Sequence, residues 1–162
     1  MEQQQFVAEV LHAEKQMYAI AKSILTYEAD CEDAVQNAIL NAYANLHTLR
    51  KEEFFRTWLI RILINECNHI VKRRKRIIFF DKALEEERVA IQKQQEYSEV
   101  YEALMTLKKS YRIPFVLYYI EGFSVKETAQ ILNISESSMK QRLFRARKQM
   151  KDILKGAYGY EG

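Results

Sequence analysis

One proline and four glycines are spread over 162 residues, and that scarcity constrains the fold class before anything else is read. Sheets need turn residues at each reversal, whereas helices can be joined by short ordinary loops. Helical periodicity fills the space between the few breakers. Phe6, Val10, Met17, Ile20 and Ile24 recur at helical spacing and predict a first helix over Phe6–Tyr27. Ala34, Val35, Ala38, Ile39, Ala42 and Leu46 predict a second, with Asp30 as its N-cap and its end near Leu46. Phe54, Trp58, Leu59, Ile62, Leu63, Cys67 and Ile70 predict a third, closing on the basic run 72–76. The expected fold is all-α.

Between Asp81 and Glu102 seven acids stand against three bases, among many Glu, Gln and Lys residues. Such a segment buries little and reads as a partly helical linker. The expected organisation is two small helical domains joined by a polar linker: residues 1–78, a linker over 79–98, a second domain over 99–156 and a tail over 157–162. Tyr101, Leu104 and Leu107 open the second domain. Pro114 is expected in the first turn of its next helix, and Gly122 as a stop.

The last third carries the most specific pattern. Ser124–Leu132 is a short amphipathic helix, Asn133-Ile134-Ser135 a tight turn, and Glu136–Met150 a second helix. Ala129 is small where two helices must cross. Asn133 tolerates a left-handed backbone, and Ser135 can cap the helix that follows. Met139, Leu143, Ala146 and Met150 form one stripe to bury. From Lys140 to Lys155 seven basic residues stand against the single acid Asp152. This is a helix-turn-helix with a basic second helix, suited to a DNA major groove. By charge alone, the same helix reads more readily as a solvated face of an ordinary bundle; the turn, the cap and the small residue at the crossing favour DNA.

The rest of the sequence narrows the function by exclusion. Cys31 and Cys67 are far apart and lack a CxxC pattern, so they read as reduced thiols. His12, His47 and His69 are scattered without metal-ligand spacing. No Gly-rich phosphate loop, nucleophile elbow or carboxylate pair appears, so no enzyme, cofactor or metal is expected. No apolar run is long enough to span a bilayer, and the start lacks a signal-peptide layout, so a cytoplasmic protein is expected.

The first half has its own asymmetry. Between Ser23 and Leu49 lie four acids (Glu28, Asp30, Glu32, Asp33) and no Lys or Arg, whereas the next helix carries Arg56, Arg61 and the run 72–76. The acidic part suggests a basic protein partner and the basic part nucleic acid; plain surface alternation is the other reading. Phe54, Phe55 and Trp58 can pack inward, or stack on unpaired bases beside Asn65 and His69.

Asp30-Cys-Glu-Asp-Ala-Val-Gln-Asn-Ala38, Thr57–Asn65, the basic run, the linker and Ser124–Met150 with Arg142-Leu-Phe-Arg-Ala-Arg147 follow one another in an order that resembles the extracytoplasmic-function (ECF) sigma factors of bacterial RNA polymerase. The resemblance covers nearly the whole chain. It implies that Asp33, Val35, Gln36, Ile39 and Leu40 bind the clamp coiled coil of core RNA polymerase, with the flap as a further contact. It implies that Leu46, His47, Phe54, Phe55, Asn65, His69, Arg73, Arg74 and Arg76 serve the minus-ten element, the loop Leu46–Glu53 taking a flipped base. For the minus-thirty-five element it implies Lys140, Gln141, Phe144 and Arg145 toward the bases, and Ser137, Ser138, Arg142 and Arg147 toward phosphates. It further implies an acidic linker threading toward the RNA exit channel. It also implies an anti-sigma factor, often membrane-anchored in this family, and a role in stress-response transcription. Met139 and His69 depart from the residue types common at those places. An ordinary helix-turn-helix regulator and a protein that only titrates polymerase remain as alternatives; the first leaves the acidic helix and aromatic loop unexplained.

Overall fold

The computed structural model describes residues 1–80 and 99–158, with side chains described for 1–77 and 99–156. The chain divides into two compact units, Met1–Gln95 and Glu96–Gly162. Seven helices appear among the described residues, and no strand. Most of the expected linker, 81–98, and of the expected tail lies outside the described residues.

In the first unit, α1 (Gln3–Ile24), α2 (Glu28–Ala44) and α3 (Phe55–Phe80) pack mutually, α2 and α3 most extensively. Ala34, Ala38 and Ala42 repeat every fourth residue on α2 and are fully buried, as are Leu59, Ile60, Leu63 and Cys67 on α3. Such an alanine row lets neighbouring helices approach the α2 backbone closely, because only methyl groups project from it. Phe6, Val10, Met17, Ile20 and Ile24 of α1 close the core, as the periodicity predicts.

The boundaries of α1 and α2 differ from expectation: α1 spans Gln3–Ile24 rather than Phe6–Tyr27. Asp30 is not the N-cap of α2, which begins at Glu28 after an extended Tyr27. The Asp30 side chain instead turns inward, is 6% exposed, and meets Arg74 of α3. Helix α2 also ends at Ala44, because Asn45 turns the chain: its Nδ2 donates to the Asn41 carbonyl at 2.9 Å and to Asn41 Oδ1 at 2.7 Å. Two 3₁₀ turns, Leu46–Thr48 and Glu52–Phe54, then lead into α3.

The second unit contains α4 (Glu99–Thr106), α5 (Lys109–Phe115), α6 (Val125–Leu132) and α7 (Glu136–Tyr158). Pro114 lies at the sixth position of α5 rather than in its first turn, and it is fully buried. Its missing N–H leaves the usual hydrogen-bond ladder, and two residues later the chain widens into a π turn, Val116–Ile120, closed by Glu121 N–H to the Val116 carbonyl at 2.9 Å. Helix α7 runs beyond Met150 because Ile153 and Leu154 pack against Ala103, Leu104, Leu107, Ala146 and Met150.

Helix α6 has a full capping box: Ser124 Oγ accepts from Glu127 N–H, and Glu127 Oε1 accepts from Ser124 N–H, both at 3.0 Å. Its other end closes at Asn133, the one positive-φ residue besides glycine among those described (φ 54°). Ile134 N–H reaches the Ala129 carbonyl at 3.0 Å, and Ile134 packs on the Ala129–Met139–Leu143 cluster. A β-branched side chain at this backbone angle is strained. Asn133→Val is therefore expected to destabilise the protein by about 1–2 kcal/mol, whereas Asn133→Gly leaves the melting temperature nearly unchanged. Equal melting temperatures for the valine variant and the unsubstituted chain would contradict this.

Candidate nucleic-acid and polymerase interface

Helix α3 advances about 100° per residue. Arg61, Asn65, His69, Lys72 and Arg76 therefore fall on one stripe, with Trp58 at its head and Arg73 beside it. Apart from the half-buried Trp58, each of these side chains is exposed. The stripe mixes an aromatic ring, an amide, an imidazole and cations without an acid, a set suited to bases and phosphates of one strand.

Arg74 stands half a turn away from that stripe, and the structure removes it from the strand-binding set. Its Nε and Nη2 both donate to the Asp30 carboxylate, the second at 2.8 Å, and its guanidinium lies 4.4 Å from the Tyr27 ring centroid. The bond to Asp30 raises the Arg74 pKa. Lys72, which the resemblance did not include, lies on the stripe where Arg74 does not.

Phe55 is also corrected. It is 3% exposed, with its ring centroid 5.7 Å from that of Phe6 and 5.9 Å from that of Trp58. Phe54 carries the exposed aromatic surface instead, at 46%. His47 is exposed and Leu46 half-buried in the loop before α3. That loop is tied to α1 by Gln5 Nε2, which donates to Glu52 Oε2 at 3.1 Å and helps hold the Glu52 pKa below its ordinary value.

On α2 the same periodicity separates Val35 from its neighbours. Val35 is 1% exposed and belongs to the core, so it offers nothing to a partner. Asp33, Gln36 and Leu40 share the outward face, with Ile39 half-buried at its edge and Glu32 beside it. Leu40 is 68% exposed, a large apolar side chain about two turns from Asp33. Cys31 lies inward, and burial pushes its thiol up to about 11, which makes it unreactive at neutral pH.

In the second unit the expected stripe Met139, Leu143, Ala146 and Met150 is buried. Ser135 Oγ accepts from Ser138 N–H at 3.0 Å and so caps α7. Ser137, Lys140, Gln141, Phe144, Arg145 and Arg147 are exposed; Ser138 and Arg142 are half-buried. Ser138, Gln141, Arg142 and Arg145 line a cleft of about 270 Å³ together with Ser110 and Tyr111 of α5. Arg145 faces the Tyr111 phenol and lowers its pKa, with Lys108 and Arg142 adding to the effect. Every lining group is polar, none is a carboxylate, and two are guanidinium groups. The cleft therefore favours an oxyanion. Ser110 and Tyr111 lie outside the helix-turn-helix and gave no local sequence signal.

Two family models match the chain, Sigma-70 region 2 over residues 10–77 and Sigma-70 region 4 over residues 97–150. The ECF RNA polymerase sigma factor SigM of Bacillus subtilis is 31% identical over 128 residues, which span 75% of this chain and 78% of that protein. The chain belongs to the ECF sigma factors. It is thus a transcription initiation factor rather than an enzyme, one that works with core RNA polymerase to direct promoter recognition and DNA melting. SigV of Bacillus subtilis is 27% identical over 135 residues, covering 83% of this sigma factor and 81% of SigV. The sigma factor RpoE from Bartonella quintana, solved with the anti-sigma factor NepR, shares the fold with a TM-score of 0.78 at 24% identity, over 93% of this chain and 97% of that one. CnrH, solved with the cytosolic domain of CnrY, matches with a TM-score of 0.72 at 25% identity, over 96% and 90%. Among the described residues no helix of this sigma factor is long and apolar enough to cross a membrane.

Proposed function

We propose that this sigma factor divides promoter recognition between its two units, residues 1–78 taking the melted minus-ten strand and residues 99–156 the minus-thirty-five duplex, with 79–98 as linker. The observation that carries the reading is the two-sidedness of α7: its apolar stripe is sealed, while Lys140, Gln141, Phe144 and Arg145 face solvent. A helix so divided can enter a major groove without exposing its core. Gln141 and Arg145 supply amide and guanidinium contacts to base edges. Ser137 binds phosphate, and the Arg142–Ser138 cleft seats another, with Ser110 and Tyr111 completing it.

In the first unit the single strand follows the α3 stripe Asn65, His69, Arg73 and Arg76, with Lys72 added. The loop with Leu46, His47 and Phe54 holds a flipped base, whose unstacking cost of a few kcal/mol pocket contacts must offset. Asp33, Gln36, Ile39 and Leu40 bind the clamp of core polymerase. RpoE and CnrH are each solved with a partner, NepR being named an anti-sigma factor. That precedent supports control of this sigma factor by an anti-sigma protein, which can be tethered at a membrane, and expression of stress-response genes as the output.

The test is transcription in vitro from a genomic fragment library by core polymerase, with and without the sigma factor. New discrete starts that share two spaced elements are expected. Core binding without new starts would mark a titrating protein, and a protected palindrome without polymerase would mark an ordinary regulator. Asp33→Lys is expected to weaken core binding roughly threefold to tenfold, since an exposed charge contributes on the order of 1 kcal/mol. Unchanged core affinity in a competition assay would leave the acidic face without that role.

A further inference from the structure

Helix α7 is held from both flanks by the α5 segment. Arg145 and Arg147 are two residues apart, about 200° around the helix, and so project from opposite sides. Tyr111, near the start of α5, meets Arg145. Tyr119, in the π turn that continues α5, meets Arg147: Arg147 Nη1 donates to the Tyr119 hydroxyl at 3.1 Å.

The contact at Tyr119 is built into a longer ladder. The Tyr119 ring lies 4.8 Å from Phe115 and 4.9 Å from Tyr118, centroid to centroid, which limits its rotation. Beyond it, the Arg147 guanidinium sits 5.9 Å from the Phe144 ring centroid. Phe144 is 59% exposed and is one of the side chains assigned to the minus-thirty-five bases. Fixing Arg147 therefore restricts the orientations open to Phe144.

We infer that Tyr119 is a positioning residue for promoter recognition, acting through Arg147 on Phe144, and that Arg147 serves as a strut rather than a phosphate clamp. The inference rests on the reading of α7 as the recognition helix. The hydrogen bond and the ring contact connect Tyr119 to Phe144 through a single guanidinium. Held together, they trade mobility for a defined Phe144 ring, the kind of support a contact needs to discriminate between bases.

The test uses holoenzyme and duplexes bearing the mapped minus-thirty-five element or single-base substitutions in it. Tyr119→Phe keeps the aromatic ladder and removes the acceptor. It is expected to reduce discrimination between matched and substituted duplexes about twofold to tenfold, with the salt dependence of binding unchanged. In an Arg147→Leu background the same exchange is expected to change nothing further. Discrimination unchanged in Tyr119→Phe, or an equal loss in both backgrounds, would overturn the inference. So would an Arg147→Leu variant that keeps full discrimination and loses one phosphate's share of the salt slope. Absence of discrimination in the unsubstituted protein would remove the recognition-helix reading and this inference together, and is distinguished by that control.

Discussion

Asp30→Ala is expected to destabilise the protein by about 1–3 kcal/mol, the cost of leaving a polar partner unsatisfied. Both Asp30 oxygens accept from Arg74, and the carboxylate is nearly sealed from water. Truncating it strands the guanidinium against α2. The Arg74 side chain keeps about a third of its surface in water (31%), so the loss falls short of that for a fully buried pair. Denaturant unfolding measures it. Pairing Asp30→Leu with Arg74→Met is expected to recover most of the loss, because both charges then leave together. An Asp30→Ala variant that unfolds at the original midpoint would show that the pair contributes nothing to stability.

Arg145→Ala is expected to weaken binding to the matched minus-thirty-five duplex by about 1–3 kcal/mol, with the loss concentrated at one base pair. Arg145 is exposed on α7, and its guanidinium is hydrogen-bonded to the Tyr111 phenol. Duplex titrations at several salt concentrations separate the two roles available to an arginine. A base contact relaxes the preference at a single position. A phosphate contact weakens all sequences alike and lowers the salt slope by about one. Uniform weakening would move Arg145 from the reading set to the backbone set.

The helix-turn-helix was legible because its determinants are local. A cap, a left-handed asparagine and a four-residue apolar repeat lie within one short stretch, and each acts on its near neighbours. The faces of α2 and α3 were legible only in part. Val35 and Phe55 sit beside exposed residues in the sequence, but a step of about 100° carries them into the core. Arg74 is one of five consecutive cations and looks interchangeable with the other four; its partner is 44 residues away, and no periodicity points to it. Pro114 reads locally as a helix start, yet burial against the rest of the second unit keeps it inside α5 and shifts the adjustment to the π turn. Tyr119 and Arg147, 28 residues apart, meet only because α5 crosses α7.

The alanine row of α2 has a consequence for how such regulators diversify. It leaves α3 with one buried side and one free side. Bulk added along the seam would force the two backbones apart, so that side is closed to drift. The outward stripe is under no such packing constraint, and exposed exchanges there typically change stability by no more than about 0.5 kcal/mol. On the proposed reading of that stripe as the strand path, exchanges at Asn65 and His69 rewrite promoter preference without cost to the fold. A bacterium can in this way accumulate many parallel regulators on one scaffold, each addressing a different set of genes, without refolding any of them.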